Sequence, residues 1–419
     1  MSYTLIMISK SHKKVSLFFY IFVIFILILF FSIFIVIKHQ KSTPTFAFYH
    51  VPDLVQKSIV KVIEEKSSKK ISIIQLDSGQ PLSSQKDKLK NNWIIFAAND
   101  ADIKSFAKES SSITQLDSSL TEGFPYTIKS SIPSINNKPA YIPFLYDMYE
   151  IDINYKQFQD SSLGKIETWS DLYHYGLERQ PYNRSAFSAA FYDPKEFLNL
   201  FGHLMEAVTS INDYEIFCNN LYSAFACDLN NKKADFNNTS EMLKSALENK
   251  DSAAFKTLEM LNILFQNKII DNNIFNYTAA DLSFSVDNGM CAAYFTKLSD
   301  HRKISRDIIG KYRSIYIPSI STSTERKFSS IEYIMLAQKN NNCITDLAAA
   351  ISNSKQELLC KETGLAPVQK NSQVPDHQAD DVRYWLAASL GPATPLAGYL
   401  PDTQCQNLVA ELIKSKIIF

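Results

Sequence analysis

The hydrophobic pattern changes character twice along this chain. From Val15 to Ile37 the sequence reads VSLFFYIFVIFILILFFSIFIVI, 23 residues without a charge, a Gly or a Pro. As a helix it would be about 34 Å long, enough to cross a hydrocarbon core about 30 Å thick. A buried soluble helix is rarely apolar on every face over such a length. After Pro44 the pattern becomes compact strands alternating with amphipathic stretches. Thr45–Val51 (TFAFYHV) reads as a strand, and Pro52 sits where a helix begins, with Leu54, Ile59, Val60 and Ile63 at helical spacing. Lys69–Asp77 and Asn92–Asp100 read as the second and third strands, the latter followed by another helix. This order predicts a largely parallel sheet flanked by helices. Ligands in such sheets gather at the carboxyl ends of the strands, which here carry Tyr49-His50, Asp77-Ser78 and Asn99-Asp100.

Farther on, Ser110–Asn137 is polar and loop-like, and Asn137–Phe158 is extended and dense in aromatics. Helical periodicity dominates from Trp169 to Asn267, as in Asp193–Val208 and Ser240–Asn267. Strand-like pieces follow at Gly289–Phe295, Ser314–Ile320 and Ile331–Gln338, and the helical end is broken by Gly364–Gln369 and by GPATPLAGYLP, Gly391–Pro401. No single linker marks a domain boundary, as expected for lobes joined by several crossovers.

Composition narrows the partners. Lys+Arg and Asp+Glu both count 43 in 419 residues, so no overall charge draws the chain to nucleic acid, and none is expected as a partner. Lys10, Lys13 and Lys14 before the apolar run, against Lys38 and Lys41 after it, favour residues 1–14 in the cytoplasm and the bulk of the chain outside. A cleaved signal peptide would have a core of roughly 7–15 apolar residues followed by small ones. Here the run is longer and leads into Lys38-His39-Gln40-Lys41, which favours an uncleaved anchor over 15–37; signal cleavage with release to the periplasm is the alternative. No Cys follows closely enough for lipid attachment. All six cysteines come later, and Cys218 with Cys227, or Cys343 with Cys360, are the first disulfide candidates beside the plain reading of buried apolar thiols. No pair has zinc-ligand spacing.

Motifs for catalysis are missing from the sequence. There is no Gly-x-Ser-x-Gly elbow and no His-Glu-x-x-His, and Gly310-Lys311 lacks the upstream Gly of a phosphate loop. A non-enzyme with no cofactor is the expectation, although distant paired carboxylates of a glycosidase would leave no local motif.

Several segments, in order, resemble the bacterial family 1 extracellular solute-binding proteins of carbohydrate ABC importers. Thr45–Val51 is similar to that family's opening strand, Trp93–Asp100 to its third strand, and NKPAYIPFLYDMY (Asn137–Tyr149) to the segment entering its first crossover. Glu167–Leu172 resembles its Thr-Trp helix start, Thr278–Phe295 its small-residue signature, and Ile331–Val368 its second crossover and return; Gly, at 10 residues, is scarcer than the pattern wants. The resemblance implies an α/β fold of the two-lobed periplasmic-binding-protein type II, preceded by one transmembrane helix. Lobe 1 would be 44–147 with 331–362, and lobe 2 would be 148–330 with 363–419. It also implies capture of a small solute, a sugar or oligosaccharide, by hinge closure, with importer permease subunits as partners. Ring faces suit aromatic side chains and sugar hydroxyls suit carboxylates and amides. The ligand-binding candidates are therefore Tyr49, His50, Asn99, Asp100, Tyr146, Asp147 and Tyr149 on one wall, and Tyr294, Phe295 and Trp385 on the other. Asp100 and Asp147 are expected at strand ends with few structural duties. An anchored interaction or sensor protein that keeps the lobes without transport is the alternative.

Overall fold

The computed structural model describes residues 25–26, 45–65, 71–89, 92–98, 100–109, 113–114, 116–230, 237–338, 353–374 and 376–414. Met1–Pro44 is a unit of its own, and Thr45–Phe419 is a second. The Val15–Ile37 run lies outside the described residues except for Phe25 and Ile26; among the described residues no helix is long and apolar enough to cross a membrane.

Strand β1 (Thr45–Tyr49) is buried along its whole length. It pairs in parallel with β2 (Ser72–Gln75) on one side and β3 (Trp93–Ala98) on the other. The expected parallel arrangement thus holds for the first three strands. Helix α1 (Asp53–Glu64) begins directly after Pro52 and buries Val55, Ile59, Val62 and Ile63. The face is turned from the expected one: Leu54 is exposed, because positions 55, 59, 62 and 63 follow the helical repeat more closely than 54, 59, 60 and 63. Helix α2 (Ala101–Glu109) follows β3.

The organising strand is β4 (Ile142–Asn154), thirteen residues of which only the last is not fully buried. Its first half pairs antiparallel with β7 (Phe328–Ala337), which itself pairs antiparallel with β3. Its second half pairs antiparallel with β5 (Ala293–Lys297) and β6 (Tyr312–Ile315). The sheet is therefore mixed: parallel at the β1–β3 end and antiparallel between β3, β7 and β4 and between β4, β5 and β6, with the start of β7 also pairing in parallel with Pro392–Ala393. Burial on both faces removes the alternation that would have shown which side chains point where.

Two large hydrophobic cores share this strand. Tyr146 and Met148 belong to the first, with Phe46, Phe96, Met335, Leu365 and Leu386. Ile151 and Ile153 belong to the second, with Phe187, Phe197, Leu258, Phe295, Leu396 and Leu408. Residues from Leu365 to Leu386, including most of α6 (His377–Ala388), pack with the first core, and Ala393 onward with the second. Most of the second core comes from helices, led by α3 (Pro194–Val208) and α4 (Ile211–Asn230).

Local chemistry sets several boundaries. Thr168 and Asp171 close a capping box at the Thr-Trp helix start, and Trp169 is a buried packing residue. The stretch read as one helix over Ser240–Asn267 is two, because Ser252 caps a new start by accepting the Phe255 N–H at 3.0 Å. The strand expected over Ser314–Ile320 stops at Ile315, just ahead of Pro318, which has no N–H to offer a ladder. Cys218, Cys227, Cys291, Cys360 and Cys405 are free. The spacing of Cys218 and Cys227 on α4 puts them on opposite sides at 3.6 residues per turn, one buried and one exposed, so that pairing is corrected. Cys360 is likewise free and its suggested partner Cys343 lies outside the described residues.

Candidate ligand cleft

The carboxyl ends of β1 and β3 meet the second core across a cleft. Tyr49 ends β1, and His50 after it takes a left-handed backbone conformation, φ 56°. A non-glycine residue held there costs about 1 kcal/mol or more. The turn brings the imidazole within 3.8 Å of Asp100 Oδ2 and edge-on to the Tyr49 ring, with centroids 4.2 Å apart. Asp100 stands at the start of α2, and its Oδ1 accepts the Ile103 N–H at 2.8 Å. Burial, reinforced by the neighbouring Asp102 carboxylate, pushes Asp100 up to about 8. Tyr49 donates its hydroxyl proton to Asp102 Oδ2 at 2.9 Å, and Asp102 also accepts the Leu82 N–H at 2.7 Å.

These groups line two cavities that share His50, Asp100, Gly398 and Leu400. The first, about 440 Å³, adds Gln80, Lys86, Phe106 and Tyr49 from the first-core side, with Tyr222, Phe225, Tyr399 and Pro401 opposite. The second, about 340 Å³, is more highly charged: Asp147, Lys195, Asn199, Lys297, Asp300 and Lys303 line it. Lys297 is held by Glu196 at 2.5 Å and Asp300 at 3.3 Å. Burial alone would discharge it, but Glu196 and the other anionic neighbours outweigh burial and hold it well above the usual lysine range. Asp147 accepts the Ser299 N–H at 3.0 Å. Its burial, only partly offset by Lys297, moves it up to about 6.

The sequence candidates separate on this geometry. Tyr49, His50 and Asp100 come together in the larger cavity, and His50, Asp100 and Asp147 in the smaller. Asn99 lies outside the described residues. Tyr146 is fully buried and donates to Glu332 at 3.0 Å, while Tyr294 is fully buried 2.7 Å from His301 Nδ1. Tyr149 donates to Glu196 at 2.9 Å, accepts from Asn199 at 2.7 Å, and borders with Phe295 a small void of about 40 Å³. Trp385 faces a different groove beside Tyr316 and Tyr384. The expectation that the two aspartates sit at strand ends with few structural duties is corrected in part: Asp100 follows the end of β3 but caps a helix, and Asp147 lies in the middle of β4 with a backbone N–H to hold. Tyr222, Phe225 and Tyr399 were missed. The first two are spaced as ordinary core positions of a helix; the third sits in the Gly391–Pro401 break, visible in the sequence but not read as a wall.

No family model matches the chain, and no curated protein matches its sequence. Solved structures match over nearly its whole length. The bacterial solute receptor AcbH, described as having an exclusive preference for β-D-galactopyranose, has a TM-score of 0.68 at 11% identity over 89% of this chain and 91% of its own. The apo-form of RafE from Streptococcus pneumoniae scores 0.60 at 13% identity, covering 90% and 99%. A family 1 extracellular solute-binding protein from Bifidobacterium longum subsp. infantis scores 0.59 at 13% identity, covering 90% and 94%. At such identities the likeness establishes the fold: this chain is an α/β protein with the solute-binding-protein fold.

Proposed function

We propose that the protein is the extracytoplasmic solute-binding component of an ABC importer and captures a small carbohydrate by closing two lobes over it. The observation that carries this reading is the cleft itself. Aromatic rings and carboxylates from the first core, Tyr49, Phe106, Asp100 and Asp102, face Tyr222, Phe225 and Tyr399 from the second. Rings take the apolar faces of a sugar, and acids and amides take its hydroxyl protons. A space of about 440 Å³ suits a mono- to disaccharide. The two cores would be the lobes, with 44–147 and 331–362 in the first, as the resemblance implies. Strands β4 and β7 would be the hinge, since β4 passes from one core into the other and β7 pairs along its first half. The same fold in proteins named as solute receptors supports a binding role over an enzymatic one. The Val15–Ile37 helix would hold the protein at the membrane beside the permease subunits.

The direct test is thermal melting of the full chain against a panel of mono- and oligosaccharides, since a ligand that binds only the folded state raises its melting temperature. A sugar that raises it supports the reading; no response to sugars, with none to polyols or amino acids, removes it. Alkaline carbonate extraction of membranes tests the anchor. Retention in the pellet is expected, and release into the supernatant would indicate cleavage.

A further inference from the structure

We propose that Glu150, Asp152 and His301 form a binding site for one divalent transition-metal cation, of the Zn²⁺ or Mn²⁺ class, built into the strand that joins the two cores. Among the described residues these three form the one group whose carboxylate oxygens and ring nitrogen all lie within 4.8 Å of one another. Glu150 and Asp152 project from the same face of β4, two residues apart. His301 ends the one-turn helix Leu298–His301 that follows β5, the strand paired with this stretch of β4. All three side chains have zero exposure.

The second observation is that Glu150 is unsatisfied. Neither of its carboxylate oxygens has a hydrogen-bond partner. A buried carboxylate in that state is strongly disfavoured unless a proton or a cation compensates it. No ion pair to Glu150 is formed among the described residues, and the guanidinium of Arg302 is engaged elsewhere, donating to Gly364 O at 3.2 Å and Asp376 Oδ1 at 2.6 Å. Asp152 is positioned by Ser314, whose hydroxyl donates to Oδ1 at 2.5 Å, leaving Oδ2 facing His301 Nδ1 at 2.9 Å. On the far side of the ring, Nε2 lies 2.5 Å from the Gln378 side-chain amide. With the amide oxygen turned inward, Nε2–H donates to it, the outer hydrogen bond that metal-binding imidazoles use, and Nδ1 is the ligating atom; the Tyr294 hydroxyl, 2.7 Å from Nδ1, would turn away as a cation takes that lone pair. One imidazole nitrogen and two carboxylates, with no thiolate, suit zinc or manganese. A cation here would fasten β4 to the segment after β5.

The test uses the full chain in mild detergent, stripped with a chelator and titrated with Zn²⁺ or Mn²⁺ against a chromophoric competitor. One bound equivalent per chain is expected, with a higher melting temperature than the stripped protein. Glu150→Gln, which keeps shape and removes charge, is expected to weaken binding at least tenfold. X-ray absorption of the loaded wild-type protein needs no variant and should show nitrogen and oxygen neighbours only. No binding at 100-fold excess of cation over protein, unchanged binding by Glu150→Gln, or sulfur in the coordination shell would each overturn the proposal.

Discussion

Gly398 stands against Asp100 so closely that a Cβ added to it would lie 3.3 Å from Asp100 Cβ and 3.1 Å from Thr394 Cγ2. The contact joins the second-core segment to the start of α2, at the point where the two cavities meet. Hydrogen at this position lets the walls meet; a branched side chain would wedge them apart. Gly398→Val should therefore weaken binding of whichever sugar scores in the melting panel by tenfold or more. Its radius of gyration with that sugar should stay at the empty value, while the wild type compacts. Normal compaction of the variant in small-angle scattering would show that closure does not need this contact.

Asp100 gives stability a pH dependence of defined sign. Its folded value, about 8, lies above the roughly 4 of an unfolded aspartate. Between those values the folded protein holds a proton that the unfolded chain has lost. The contribution is full below about pH 4 and disappears as pH rises through the folded value. Asp100→Asn removes the titration and keeps an acceptor for the Ile103 N–H. Urea unfolding from pH 4 to 9 should show wild-type stability falling relative to this variant. A difference independent of pH would place Asp100 in water. Asp100→Ala should in addition lose a helix cap, about 1 kcal/mol.

How much of this could be read from the sequence depended on which rule applied locally. Tyr49, His50 and Asp100 were legible because the first three strands are parallel, and ends of parallel strands face the ligand side. Tyr146 and Tyr294 were not separable from them. Strand β4 is buried on both faces, so aromatic density there signals packing as readily as recognition. The length of β4 also concealed the duty of Asp147, which sits mid-strand beneath Ser299. The opposite wall was the least legible. Tyr222 and Tyr399 come from a helix and a turn far apart in sequence, and only the packing of the second core brings them to one cavity.

That opposite wall should carry much of the affinity. Tyr222 and Tyr399 border the larger cavity from the side facing Tyr49 and Phe106. A sugar's apolar face laid on a ring buries area from both, and truncating the ring removes that burial. Tyr222→Ala and Tyr399→Ala should each weaken the sugar by about tenfold in calorimetric titration. Affinity unchanged in both would move the ligand to the charged cavity of Asp147 and Lys297.

The approach to β7 is fixed by a buried ion pair. Arg326 donates through Nε and Nη2 to the two carboxylate oxygens of Glu206 at 2.6 and 2.5 Å, and through Nη1 to Ile317 O at 2.9 Å. Its guanidinium also lies over the Phe328 ring, 4.8 Å from the centroid. Glu206 belongs to α3 and Phe328 begins β7, so the pair ties the largest helical face of the second core to the returning strand. Both side chains are nearly free of solvent, 0% exposed for Glu206 and 6% for Arg326. Removing one partner leaves the other charge buried without compensation, a loss of about 3–5 kcal/mol, whereas replacing both by apolar residues can be nearly neutral. Glu206→Ala should thus destabilise strongly in urea unfolding, and Glu206→Met with Arg326→Met should recover most of that loss. A double variant no more stable than the single one would show that the Ile317 carbonyl and the Phe328 ring, not the carboxylate, are what Arg326 chiefly holds.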